Sequence, residues 1–285
     1  VDNPKSTYYK DKIVPFLQIC EKYNFTSFWL LNQTMKGQMK KNILKRYPDI
    51  TNGSGNFCDY DIDHPAYRKL WRNFLAENLP KVAGNPYIFA FDLQNEAGWK
   101  HGSRNTLIKF RKWLKKKYQN NIGKLKKNWG KERPEGINKI YGYPQNGDKS
   151  PGRFYDWCDF NEDRVCDHLS FLKNEISKYL PGRGFSIKIA GEKSFTGSVT
   201  LHGKKNERTH LNEGMNREKI AQTLNIQGCD VRPVAASRWG THEYAFAWLG
   251  SAMTFDFMKS IAPDQPIMDN EWHSVDTVFY RNRNI

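Results

Sequence analysis

Apolar positions along the chain alternate between two spacings. From Tyr8 to Tyr23, Ile13, Phe16, Leu17 and Cys20 fall at helical spacing, and Asn24 follows as a stop signal. Thr26-Ser-Phe-Trp-Leu-Leu is a short, nearly continuous apolar run ending beside Asn32, as in a buried strand. The polar stretch with Gly37, Gly53 and Gly55 reads as a long functional loop. Asp63-His-Pro-Ala then opens a helix to about Val82 through Leu70, Phe74, Leu75 and Leu79, with Asp63 as its expected cap. Gly84-Asn-Pro breaks it, and Tyr87 to Gln94 forms the next strand. Ser103 is placed to cap a helix from Arg104 to Tyr118 that buries Leu107, Phe110 and Leu114.

The second half repeats the alternation. A short helix spans Ile122 to Trp129, and a long one spans Asp159 to Tyr179. The strand Phe185 to Ala190 follows, then a glycine-bearing loop from Gly191 to Gly214. Next come a helix near Arg217 to Leu224, a strand from Asn225 to Val231, a helix from Tyr244 to Ile261 and a last strand, Pro266 to Asn270. Five strands separated by helical segments predict a parallel sheet with crossover helices. Long loops follow the strand ends and short turns lead into them, the asymmetry of a (β/α)8-type barrel with its active site at the strand C-terminal face. A doubly wound sheet is the alternative, but it calls for a glycine-rich phosphate loop after its first strand. Asn32-Gln-Thr-Met-Lys-Gly is not one.

Two of the strands end alike, in Asn95-Glu96 and in Asn270-Glu271, each with a tryptophan within three residues, Trp99 and Trp272. Strand ends of a barrel converge on one mouth, so two distant glutamates can meet there. Two carboxyl groups about 5–5.5 Å apart suit double-displacement cleavage of a glycosidic bond. One carboxylate attacks the anomeric carbon. The other, kept protonated by its neighbour's charge and by partial burial, protonates the leaving oxygen and then activates water. Taken singly, a glutamate after a strand is as well explained by a surface ion pair, and a tryptophan by packing.

The segment from Tyr87 to Trp129 resembles clan A glycoside hydrolases, and most of all the family 42 β-galactosidases. The likeness lies in the strand ending Asn95-Glu96, in Phe110-Arg-Lys-Trp-Leu-Lys-Lys-Lys-Tyr118 and in the Leu125 to Trp129-Gly segment. It extends to His64-Pro-Ala-Tyr-Arg, to Tyr155-Asp-Trp157 leading into a long helix, and to Pro266-Ile-Met-Asp-Asn-Glu-Trp-His273, and covers roughly residues 60–180 and 240–275. The resemblance implies that Glu96 is the acid/base, Glu271 the nucleophile and Asn95 the residue that hydrogen-bonds the sugar 2-hydroxyl. It also implies that the five strands are strands three to seven of the barrel. Residues 1–285 then form a single, partial catalytic domain, with strands one, two and eight supplied by another segment or chain. The cysteine cluster that binds zinc in many family members is absent after Glu96, and no cofactor or metal is expected.

Other residues at the same mouth are candidates for sugar contact: Asn32 after the first strand, Trp99 and Trp272, whose faces beside the carboxylates suit sugar C–H surfaces, Arg232 for an anionic substituent, and the loop residues Trp239, His242 and His273. Glu192 and Lys193 read as an ion pair between loops.

Composition narrows the partners. Aromatic residues make up 14% of the chain, which excludes disorder. No apolar run reaches the roughly 18–20 residues of a membrane-spanning helix. The five cysteines are scattered without a C-x-x-C pair, a poor disulfide framework and a poor zinc cage. The net charge of +15 is concentrated: residues 104–149 hold 14 basic and 3 acidic residues. Nucleic acid would require exposed aromatics interleaved on a recognisable module, which is not found. The basic stretch fits instead an oligo- or polysaccharide substrate with acidic groups, such as a sulfated or uronate-bearing galactan, and a polysaccharide substrate implies an extracellular or periplasmic setting. Two readings compete with a retaining glycoside hydrolase: a non-catalytic carbohydrate-binding protein on a degenerate barrel, and a polyanion or nucleic-acid binder acting through the basic residues 104–149.

Overall fold

Five short apolar segments become parallel strands, in a computed structural model that describes residues 9–31, 37–51, 58–100, 102–130, 134–144, 150–189, 211–231 and 244–270. The strands are β1 (Ser27–Leu30), β2 (Ile88–Asp92), β3 (Gly184–Ser186), β4 (Gln227–Cys229) and β5 (Ile267–Asp269). β1, β2 and β3 pair in that order, with Phe91 opposite Trp29 on one side and Phe185 on the other, and β4 pairs with β5. All three ladders are parallel. The Ile226 N–H donates to the Phe185 carbonyl at 3.1 Å and the Asp230 N–H to the Ile189 carbonyl at 3.1 Å, which seats β4 beside β3. Spatial order therefore follows chain order, with no reversal of the kind that marks a doubly wound sheet.

The sheet is strongly curved. Laid flat, β2 and β5 would stand three strand spacings apart, about 14 Å at roughly 4.8 Å each. Yet the Asn270 Nδ2, just past β5, donates to Asp92 Oδ2 at the end of β2 at 2.8 Å. Only a sheet rolled toward closure brings those ends together.

The helices are α1 (Val14–Tyr23), α2 (Gly37–Arg46), α3 (Tyr67–Asn78), α4 (Arg104–Lys117), α5 (Ile122–Trp129), α6 (Pro151–Ser177), α7 (Arg217–Thr223) and α8 (Tyr244–Ile261). Each parallel strand pair is joined through at least one of them, as crossovers require. The main core lies between the sheet and α3 and α6, where Trp71, Leu75, Phe91, Leu169, Leu172 and Ile176 are buried together. A second apolar cluster joins α4, α5 and α6 through Phe110, Leu114, Leu125, Trp129, Trp157 and Phe160.

Local chemistry explains most boundaries. Asn24 ends α1 in the left-handed region, φ 53°, where its N–H reaches the Cys20 and Glu21 carbonyls. Ser103 and Thr106 form the reciprocal capping box that starts α4. Ser150 accepts from the Arg153 N–H and Pro151 occupies the first turn of α6, so this helix begins well before the expected Asp159.

Two further expectations are corrected. The polar stretch after Asn32 holds a helix, α2, whose Ile43 is buried and whose Leu44 packs on the core, while Lys40, Lys41, Lys45 and Arg46 dilute its apolar stripe. Asp63 does not cap α3, which starts at Tyr67 after an Ala66 without a side-chain bond. Its carboxylate instead joins Arg164 Nε at 2.7 Å and Lys109 Nζ at 2.8 Å. These charge-assisted contacts outweigh a single cap bond.

Candidate active site

The chain leaves β2 through Leu93 and Gln94 and turns at Asn95 and Glu96. Asn95 is buried at 9% exposure and Glu96 is half-buried, with its backbone at φ 41°. A left-handed glutamate costs on the order of 1–3 kcal/mol, and such strain persists only where surrounding bonds impose it. Here they do. The Ala97 N–H donates to the Lys188 carbonyl at 3.2 Å, and the Lys188 N–H to the Gln94 carbonyl at 3.2 Å, so the loop is stitched to the segment after β3. The Trp99 N–H donates to the Glu213 carbonyl at 3.0 Å, and Lys100 Nζ pairs with the buried Glu213 at 2.7 Å. From α6, Asn161 Nδ2 donates at 2.8 Å both to the Trp99 carbonyl and to the Asn212 carbonyl. Arg164 Nη1 holds Asn161 Oδ1 at 2.7 Å while its Nε holds Asp63. Burial alone would push the Asp63 carboxyl up, but Arg164 and Lys109 outweigh it and keep it below the usual carboxylate range.

Trp99 departs from expectation. Only 1% of it is exposed, and it packs edge-on against the fully buried His168, 5.4 Å between ring centroids. It anchors the loop in the core, and the expectation that its face meets a sugar gives way to a packing role. The reason is local: both of its peptide groups are bonded inward, to Glu213 and Asn161, so the indole follows.

Across the sheet, Asn270 Nδ2 donates to Asp92 Oδ2 at 2.8 Å and to Ser186 Oγ at 3.0 Å. The other Asp92 oxygen accepts from the Gln94 N–H at 3.2 Å and the Lys188 N–H at 3.1 Å. Burial pushes the Asp92 carboxyl up to about 6, even though these donors and the Lys188 charge favour its anion. Asn32, Arg232, Trp239, His242, Glu271, Trp272 and His273 lie outside the described residues, as do Glu192 and Lys193. Among the described residues no group of three or more metal-binding side chains occurs.

Of the residues the sequence singles out, Asn95 and Glu96 lie in this turn; Asp92, Ser186, Asn161 and Glu213, which bind around it, are not singled out. Asp92 had one visible signal, a lone carboxylate inside the apolar run Phe89-Ala-Phe-Asp-Leu. The two Asn-Glu pairs look alike in sequence, but Asn270 turns its amide across the sheet to Asp92, whereas Asn95 sits in the turn itself.

A rolled parallel sheet, crossed by helices and carrying polar residues at the carboxyl ends of its strands, defines a TIM-barrel-like α/β protein. The chain belongs to glycoside hydrolase family 42, whose model, described as β-galactosidase, matches residues 42–281. Solved structures agree. A family 42 exo-carrageenase from Bacteroides ovatus is 28% identical, with a TM-score of 0.70 over 89% of this chain and 35% of its own. A β-galactosidase from Rahnella sp. R3 is 16% identical, with a TM-score of 0.75 over 95% of this chain and 38% of its own. Gan42B, a family 42 β-galactosidase from G. stearothermophilus, is 15% identical, with a TM-score of 0.72 over 93% of this chain and 39% of its own. The chain thus spans little more than a third of the length of these proteins. No curated protein sequence matches it.

Proposed function

We propose that the protein is a retaining β-glycosidase that works by double displacement, with Glu271 as nucleophile and Glu96 as acid/base. The Glu271 carboxylate attacks the anomeric carbon while Glu96 passes its proton to the departing glycosidic oxygen, leaving a glycosyl ester on Glu271. Glu96, now a carboxylate, takes a proton from water as the water oxygen attacks the same carbon and releases the ester. Asn95 holds the sugar 2-hydroxyl. One observation carries this reading. The Asn270 amide touches Asp92, so the residue before Glu271 stands at the same end of the sheet as the turn that carries Glu96. Family membership supports a β-galactoside, and the likeness to an exo-carrageenase together with the +15 charge supports an acidic galactan as substrate. The outer edges of β1 and β5 carry no partner strand among the described residues, which supports barrel closure by strands from another segment or chain.

Single substitutions test the two roles. Glu96→Gln is expected to lose on the order of 100- to 10,000-fold in kcat on an alkyl β-galactoside. It is expected to retain most of the first step on a dinitrophenyl β-galactoside, whose leaving group needs no proton. Glu271→Ala is expected to lose both, with an unchanged circular dichroism spectrum. Normal turnover by either variant would overturn the assignment.

A further inference from the structure

The proposed mechanism requires two glutamates on strands far apart in the sheet to keep one separation. The bond between Asp92 and Asn270 is positioned to set it. Asp92 precedes Glu96 by four residues and ends β2; Asn270 precedes Glu271 by one residue and follows β5. Their side chains meet at 2.8 Å across the inside of the curved sheet, 178 residues apart in sequence. Ser186, at the end of β3, receives the second Asn270 hydrogen, so three strand ends share one amide. Asp92 also binds the Gln94 and Lys188 N–H groups, the peptide groups that flank the turn of Glu96 and the segment stitched to it.

Resting on the catalytic reading above, we infer that Asp92 and Asn270 are positioning residues, a clamp that fixes the distance between the Glu96 carboxyl and the Glu271 carboxyl. Neither touches the scissile bond in this scheme. Asp92 is 2% exposed, and burying a carboxylate there is costly unless it is bonded on both oxygens. Packing alone would be served more cheaply by an apolar residue at this position. The Asp92 carboxylate accepts from donors on three elements and directs the Asn270 amide, which an apolar side chain cannot do. The charged group facing it is Lys188, after β3; Asn270 and Ser186 are neutral, and the Gln94 contact is a peptide group.

The test is an exchange of the two side chains. Asp92→Asn leaves one acceptor where two are used, so its NH2 must face either the Asn270 NH2 or the Gln94 and Lys188 N–H groups, and Asn270→Asp sets two carboxylates against each other. Asp92→Asn with Asn270→Asp restores one donor facing one acceptor. A carboxyl displaced by about 1 Å costs on the order of 100-fold in rate. On p-nitrophenyl β-D-galactopyranoside, each single variant of the full-length protein is expected to lose about 10- to 100-fold in kcat with KM within about threefold. The double variant is expected to recover most of that loss. The thermal midpoint of Asp92→Asn is expected to fall, because a buried amide donor is left facing another donor, and to return in the exchanged pair, so the split of kcat from KM, and not stability, separates a positioning role from a purely structural one.

A second measurement does not depend on turnover. In crystal structures, the separation of the Glu96 and Glu271 carboxyls should widen in Asp92→Asn and return in the exchanged pair. An unchanged separation, or single variants with wild-type kcat, would overturn the clamp. Should Asn270→Asp fail to fold, Asp92→Asn and the exchanged pair decide the matter through the same separation. Full activity in Glu96→Gln and Glu271→Ala defeats the catalytic reading instead, and the separation still reports on the clamp.

Discussion

His168 is fully buried between Tyr67 and Trp99, at 5.5 and 5.4 Å between ring centroids. Burial first, and then the Arg68 and Arg164 charges, pushes its imidazole down to about 3. In the unfolded chain a histidine titrates near 6.5. The folded state thus binds fewer protons between those values, and this contribution to stability is complete above about pH 6.5 and is lost as pH falls toward about 3. Asp92 acts in the opposite sense: with its carboxyl raised to about 6, acidification toward the ordinary carboxylate value near 4 favours the folded state. A thermal midpoint that declines from pH 7 to pH 4 in the wild type and declines less steeply in His168→Phe is the expected outcome in a calorimetric pH series. Parallel curves would assign the acid sensitivity to another group. Because Trp99 leans on His168 and joins the Glu96 loop, the same acidification should loosen that loop first.

At the scale of elements, the strands approach closely where a glycine allows it. A Cβ on Gly228, in β4, would stand 2.3 Å from the Ile187 carbonyl oxygen and 2.9 Å from Asn270 Oδ1. The first of those neighbours is backbone and cannot swing aside, so Gly228→Ala must push β4 from β3 or shift Asn270. Such overpacking costs about 1–3 kcal/mol. A lowered midpoint in chemical denaturation is expected, together with a fall in kcat, since the strand that moves is paired with β5 just before Asn270. An unchanged kcat with a lowered midpoint would mean that β5 holds its place independently of β4. The helices are secured by ordinary means, such as the Ser103–Thr106 capping box of α4 and the Asn121 and Asn216 caps of α5 and α7.

The whole molecule carries +15, yet part of the basic stretch after Arg104 is engaged in the fold. Lys109 pairs with Asp63, Lys117 with Asp156 and Asp159, and Arg111 donates to the Ile140 carbonyl. Lys112, Lys116, Lys124 and Lys127 remain exposed on α4 and α5, a cationic field that would raise the local concentration of an anionic polymer. Turnover of a sulfated galactan is therefore expected to exceed that of a neutral one at low ionic strength, with the advantage shrinking as salt shortens the Debye length from about 30 Å at 0.01 M toward 8 Å at 0.15 M. Equal rates at all salt concentrations would remove the acidic-substrate reading and leave the glycosidase reading intact. The chain by itself determined the five strands, their parallel order and the position of Asn95-Glu96, because strand and crossover periods are local and the turn residues lie next to the segments they end. Residues close in sequence also carried the likeness to family 42. Only the tertiary structure decided that α2 is a helix, that Trp99 is a core residue, that Asp63 belongs to Arg164 rather than to a helix end, and that Asp92 reaches Asn270. Each of those depends on a partner distant in sequence: the core for Ile43, His168 for Trp99, Arg164 for Asp63 and, through the rolling of the sheet, Asn270 for Asp92. No periodicity along the chain encodes a contact between residues 178 apart.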